Sequence, residues 1–187
     1  MKLRFRVLYL LLSGFWKKPI GFLEQATLRL SVLPNDIDIQ RMTNDRYFAF
    51  MDLGRFDFMR RLGLLRKAFL VKKWVPLILF QTIHYRYPIG LFQKIELKTR
   101  VLWWDEYDFW IEQVFMRKNR ILATGYVQGA WFGKKGRISS TEFFDLIKME
   151  YSTPHPPANL GPFLDASRQI VSGAKRKSQE PSSVLQL

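Results

Sequence analysis

Residues 33–55 read LPNDIDIQRMTNDRYFAFMDLGR. The stretch opens with two aspartates one residue apart, Asp36 and Asp38, passes through Thr43-Asn44-Asp45, and then turns densely apolar. From there Tyr47, Phe50, Met51, Gly54 and Phe58 recur at helical spacing, while Phe48, Leu53, Phe56 and Met59 carry the apolar surface most of the way round. A helix apolar on nearly every side belongs inside a core. The pattern predicts a helix over 44–62, with Thr43 or Asn44 as its cap, Asp45 at its positive end and Gly63 as its stop. Asp52 faces Arg55, and Asp57 faces Arg60 and Arg61, at spacings that suit ion pairs.

Working outward, Thr27 to Leu33 alternates polar and apolar residues and predicts a half-buried strand ending at Pro34-Asn35. On the other side, Arg66 to Lys73 reads as a basic link. It leads to a strand over 75–87, rich in Ile, Leu, Phe and Tyr, and to a turn at Pro88-Ile89-Gly90. Lys94 to Trp103 alternates strictly, with its polar members on one side, predicting a strand with one exposed face. Further strands follow over 108–116 and 121–132, the second containing Gly125 and Gly129, with turns at 104–107 and 117–120. A helix over 140–149, capped by Thr141 or a neighbouring serine, closes the domain.

One strand, one long buried helix and then four antiparallel strands imply an α+β fold in which a curved sheet wraps a single central helix. Nothing else covers an apolar helix roughly 28 Å long. The chain divides into a basic amphipathic segment (1–22), a single domain (23–150), and a Pro-containing linker with a tail (151–187). Within 151–187 a short amphipathic piece precedes an expected mobile end from about residue 174.

Composition narrows the chemistry. The chain has 187 residues, of which 48% are hydrophobic and 16% aromatic, too apolar for disorder. It has no cysteine, which excludes disulfides, zinc–thiolate sites and thiol nucleophiles and fits a cytoplasmic location. With only His84 and His155, a site built on several imidazoles is not expected, so no metal is assigned. Lys and Arg total 30 against 16 acids, a net charge of +14 that attracts polyanions: nucleic acid, anionic lipid or a phosphorylated cofactor such as coenzyme A. No nucleic-acid-binding module is recognisable, and neither G-x-G-x-x-G nor G-x-x-x-x-G-K follows a strand, so nucleic acid is not an expected partner.

Residues 1–18 place Lys2, Arg4, Arg6, Lys17 and Lys18 around an apolar stretch from Val7 to Trp16. That stretch is too short to span a bilayer and ends without the small residues of a cleavage site. Two readings stand: a helix lying on an anionic membrane surface, or a terminal helix docked on the core.

The run DIDIQRMTNDRYFAFMDLGR resembles the strand-to-helix signature of hotdog-fold acyl-CoA thioesterases of the 4-hydroxybenzoyl-CoA type, D-x-D-x-x-G/L-H-x-N-N-x-x-Y. Within that family it is most similar to the branch of mammalian thioesterase superfamily member six and bacterial relatives. The likeness continues through Leu62-Gly63-Leu64, Trp103-Trp104-Asp105 and Glu112-Gln113-Val114-Phe115, covering roughly residues 27–147. Three departures stand out. The stretch from Asp38 to Tyr47 is one residue shorter, Arg41 stands near the usual histidine, and Thr43-Asn44 replaces Asn-Asn.

The resemblance implies a hotdog fold, a homodimer or dimer of dimers with sites between subunits, and acyl-CoA as substrate. It implies no cofactor, coenzyme A being part of the substrate. It puts the catalytic carboxylate on Asp38. The chemistry is consistent with this, since thioester hydrolysis needs a base or nucleophile and donors for the developing oxyanion. Without cysteine or a G-x-S-x-G elbow, a carboxylate is the best remaining candidate. Unpaired amides around Asn44, Asp45 and Arg46 at the helix start would hold the oxygen. Each residue also has a plainer reading. Asp36 and Asp38 satisfy turn amides, Asn44 is a cap, Tyr47 is core rather than acyl-pocket lining, and Asp52, a second candidate carboxylate, pairs with Arg55. Arg46, Arg55, Arg60, Arg61, Arg66 and Lys67 meet coenzyme A phosphates or are simply solvated. The expected function is acyl-CoA hydrolysis, peripheral to a membrane, with non-catalytic acyl or lipid binding as the alternative.

Overall fold

The computed structural model describes residues 18–150 and 152–179, so the segment 1–18, expected either on a membrane surface or docked on the core, falls, but for Lys18, outside the described residues. Two compact units divide after Thr153. In the first, strand β1 (Ala26–Ser31) leads through a 3₁₀ turn (Pro34–Asp36) and a small hairpin, β2 (Ile37–Asp38) and β3 (Arg41–Met42), into helix α1 (Asn44–Arg61). A π-helical segment (Leu65–Lys72) follows. Then come β4 (Val75–Tyr85), β5 (Lys94–Trp104), β6 (Asp108–Arg117), β7 (Arg120–Gly133), the short β8 (Gly136–Arg137) and helix α2 (Ser140–Ile147). The main sheet runs β1-β5-β6-β7-β4, with β8 on β7, and every pairing is antiparallel. The sheet curls as a half-barrel with a helix, the α+β architecture expected from the sequence.

Helix α1 is covered as its composition demands. Tyr47, Phe50, Met51, Leu53 and Phe58 are buried, packing into two adjoining clusters whose fully buried members come from every long strand except β4. Gly63 takes φ +73°, and its amide closes on the Arg60 carbonyl at 2.9 Å, so the predicted stop is where the backbone needs it. Beyond the helix's C-terminal half, Phe22, Trp104, Phe109, Phe143 and Phe144 form an aromatic knot with centroids 4.8–6.2 Å apart, which fastens α2 to the sheet. The cap of α2 is Ser139, whose hydroxyl accepts the Glu142 amide at 3.2 Å.

Strand β5 alternates as predicted, with Ile95, Leu97, Val101 and Trp103 inward, but Thr99 joins them on the inner face. The sequence places all polar members of this strand on one side, and the structure corrects that. Thr99 meets Gln113 of β6, whose amide nitrogen donates to Thr99 Oγ1 (3.1 Å) and to the Met51 carbonyl (2.9 Å), while its oxygen accepts from Arg55 Nη1 (2.7 Å). Arg55 also pairs with Asp52. A polar network thus runs between helix and sheet. Gly54 makes room for it: a Cβ there would stand 2.7 Å from Leu97, 2.8 Å from Gln113 and 2.9 Å from Thr99. Gly54→Ala is therefore expected to lower unfolding free energy by about 1–3 kcal/mol through overpacking, despite alanine's better helix propensity; urea denaturation measures it.

Two segments differ from expectation. Residues 65–72 are π-helical rather than a link, with the Lys73 amide reaching the Ala68 carbonyl. In the second unit a 3₁₀ turn (Ala158–Leu160) passes directly into helix α3 (Gly161–Gln179), longer than the short amphipathic piece predicted. The helix runs into the stretch expected to be a mobile end, of which 180–187 lie outside the described residues. Pro162 sits in its first turn, where no backbone N–H is required. No described helix is long and apolar enough to cross a membrane.

Candidate functional site

The pair of aspartates splits into two roles. Asp36 is buried in the 3₁₀ turn; its carboxylate accepts the Leu33 amide at 2.9 Å and its carbonyl accepts the Thr43 amide at 3.3 Å. It ties the strand exit to the helix entrance. The chain then doubles back, with Ile37 opposite Met42 and Asp38 opposite Arg41, and Ile39 at the tip at φ +58°. The Met42 amide binds the Ile89 carbonyl at 2.8 Å and Arg41 bridges Gly90, so the hairpin is docked on the turn before β5. Asp38 is exposed there, one pairing step beyond Ile37 and Met42 from the helix start.

At the helix entrance Thr43 is extended, and its hydroxyl donates to the Asp45 carboxylate instead of capping the helix. Asp45 also pairs with Arg46 at 3.3 Å. The Thr43 hydrogen bond, foremost, with the Arg46 charge and nearby backbone, holds the Asp45 carboxyl below the usual carboxylate value against the opposing effect of burial. The Arg46 amide, one of those assigned by the sequence to a substrate oxygen, donates to the Thr43 carbonyl at 3.0 Å. Because the folded-state value is depressed, the stability Asp45 contributes is present above its unfolded value of about 3.9 and is lost as pH falls through the folded value. Thr43→Val is expected to move the Asp45 midpoint upward toward about 3.9, read from its carboxyl carbon shift in an NMR titration.

Asn44 is exposed at the same tip, Arg46 is half-buried, and Tyr47 is buried. The Tyr47 ring lies 4.9 Å from Tyr85 and 5.2 Å from Phe115, and burial pushes its hydroxyl up, partly offset by a backbone hydrogen bond with Ile89. The structure therefore gathers Asp38, Asn44, Asp45, Arg46 and Tyr47 at one end of α1, with Asp38, Asn44 and Asp45 facing solvent and Tyr47 in the core. His84 is exposed on β4, and His155 is exposed in the second unit. Among the described residues no cluster of three or more His, Cys, Asp or Glu is arranged to hold a metal.

Toward the other end of α1 lies a cavity of about 220 Å³ between helix and sheet, lined by Phe56, Met59 and Leu62 of the helix side and Ile111, Ala130 and Trp131 of the sheet. Asp52 and Arg55 form its polar border. The sequence names Asp52 as a second carboxylate but gives no sign of the cavity, whose walls come from residues far apart in the chain. Burial holds the Arg55 guanidinium below its usual value, against the pull of Asp52. Of the cations offered for phosphate binding, Arg55 is committed to this network. Arg60 pairs with Asp57 at 3.0 Å, and Arg61 Nε donates to the Lys18 carbonyl at 3.0 Å. Arg66 and Lys67 are exposed.

Similarity to known proteins bears on this geometry. The profile of the thioesterase-like superfamily matches residues 32–179. Protein THEM6 of Drosophila melanogaster is 28% identical over 134 residues, covering 70% of this chain and 66% of that protein. Protein THEM6 of Danio rerio is 34% identical over 116 residues, covering 61% and 57%. The matched region thus spans less than two thirds of either relative. A probable thioesterase from Bartonella henselae superposes with a TM-score of 0.57 at 22% identity, over 62% of this chain and 98% of that one. A 1,4-dihydroxy-2-naphthoyl-CoA thioesterase from Synechocystis gives 0.59 at 10% identity, over 67% and 96%. At these identities the structures speak to the fold alone. The antiparallel sheet curled on its central helix and the profile match over most of the chain agree: the chain belongs to the thioesterase-like superfamily and has the hotdog fold.

Proposed function

We propose that the protein hydrolyses an acyl-CoA thioester to free acid and coenzyme A, acting as a homodimer or dimer of dimers. The observation that carries this reading is the apolar cavity set against the central helix of a thioesterase-like chain, a place for an acyl chain bordered by a carboxylate and a guanidinium. The solved neighbour from Synechocystis is a 1,4-dihydroxy-2-naphthoyl-CoA thioesterase. Asp38, at the opposite end of α1 from this cavity, is the assigned general base or nucleophile, with the backbone donors at the helix tip and Asn44 supporting the carbonyl oxygen; the acyl chain then runs along α1 to the cavity, about 12 Å from Asn44 to Asp52 at 1.5 Å per residue. In the general-base form, water attacks the carbonyl carbon as Asp38 takes its proton. The C–S bond then breaks and the proton passes to the departing sulfur. Subunit association is supported by β4, the last strand of the sheet, which leaves Val75, Leu77, Ile78 and Leu79 substantially exposed.

A second reading, acyl or lipid binding without turnover, is favoured by the separation of Asp38 from the cavity, which lies toward the other end of α1. Purified protein assayed against acyl-CoAs of increasing chain length separates the two. Release of coenzyme A supports hydrolysis; acyl ligand retained in the protein with no release from any thioester overturns it.

A further inference from the structure

Between Asp57 and Glu96 the chain has no acidic residue. Within that span the π-helical segment shows two faces. Ala68 is fully buried and Phe69 packs on Trp131 at 5.8 Å, whereas Leu70 and Val71 are 74% and 68% exposed. Arg66, Lys67, Lys72 and Lys73 surround them and are exposed too. The inward side chains account for the segment's docking on the domain. Nothing within the described domain accounts for adjacent Leu and Val side chains held out in solvent amid four cations.

Lys18 is fixed at the same end of α1 as this segment, where Arg61 binds its carbonyl at 3.0 Å and the Ile20 amide reaches the Arg61 carbonyl at 3.4 Å. The described chain thus starts, at Lys18, against the C-terminal end of α1, which leads through Gly63 into the π-helical segment. Leu62 and Leu64, just before the segment, line the cavity.

We propose that the Leu65–Lys72 segment docks on an anionic lipid bilayer, with Leu70 and Val71 entering the head-group region and Arg66, Lys67, Lys72 and Lys73 on lipid phosphates. Apolar side chains ringed by cations with no acid nearby in sequence suit that partner by both hydrophobic and charge complementarity. The opposite end of the domain also displays apolar side chains, Ile39 and Phe92, and cations including Lys94, Arg117 and Lys118, but there the acids Asp38, Asp45 and Glu96 are interspersed. The chosen orientation turns the cavity end toward the membrane. Docking is independent of turnover, so its failure and the failure of the hydrolase reading are separate results.

The lack of cysteine makes the test site-specific. Val71→Cys in the full chain is labelled with an environment-sensitive fluorophore, and Asn119→Cys, in the β6–β7 turn at the opposite end, serves as control. With vesicles of phosphatidylcholine containing about 30% phosphatidylserine, emission at position 71 is expected to rise and shift to the blue, with no change at 119 and none with phosphatidylcholine alone. Adding Lys72→Gln and Lys73→Gln is expected to weaken partitioning roughly 30-fold. Four outcomes overturn the proposal: no vesicle binding, binding that leaves the label at 71 unchanged, a response at 119 instead, or a response at 71 to protein concentration alone, which would mean a second copy covers the patch.

Discussion

Replacing Asp38 with asparagine is expected to lower kcat for acyl-CoA hydrolysis by about 10²- to 10⁴-fold while leaving KM within a few-fold. Asparagine keeps the shape of the side chain but can neither accept a proton from water nor form an acyl intermediate. The change should leave the fold intact. Asp38 is exposed, and its contribution to the hairpin comes from backbone groups, including the Gln40 amide on its carbonyl at 2.7 Å. Loss of rate with an unchanged denaturation midpoint is thus the signature of a chemical role. Asp52→Asn is the matched comparison, because Asp52 borders the cavity and pairs with buried Arg55. It is expected to cost stability and to change kcat only a few-fold. If instead Asp52→Asn abolishes turnover and Asp38→Asn does not, the carboxylate role passes to the helix and Asp38 is left as hairpin chemistry.

Gln113→Leu is expected to lower unfolding free energy by about 3–5 kcal/mol, measured by urea denaturation with an unchanged slope. Gln113 is fully buried and its side chain serves Arg55, Met51 and Thr99 together. Leucine fills a similar volume, so packing is nearly conserved. What changes is that Arg55 Nη1, the Met51 carbonyl and Thr99 Oγ1 all lose their hydrogen bonds to this side chain in a place water does not reach. Leaving a buried guanidinium short of a partner is the dominant cost, since the desolvation already endured by Arg55 is then offset by Asp52 alone. A loss below about 1 kcal/mol would mean that water or a rotated side chain replaces the amide.

The central helix was legible because its evidence is local. A run of large apolar residues with helical period, charged pairs three residues apart and a following glycine can be read from residues 44–63 alone, and the structure agrees in each respect. The strands of the meander were legible for the same reason, since alternation is a property of one strand at a time. The candidate site was legible only as a set of residues at one helix end. Their orientation was not, because exposed Asp38 depends on a hairpin whose docking partner, the turn near Ile89, lies far along the chain.

From sequence alone, then, came the α+β architecture, the buried helix and the position of the acids relative to it. These follow from periodicity and side-chain size, which every short window carries. Tertiary structure alone decided that Thr99 and Gln113 turn inward, that Arg55 lies between helix and sheet on Gln113, and that a cavity opens beside Asp52. Each of these depends on which groups meet across the fold; Arg55 and Gln113 are 58 residues apart. A buried polar group is stable only beside a partner, and the identity of that partner is set by the packing of the whole sheet on the helix.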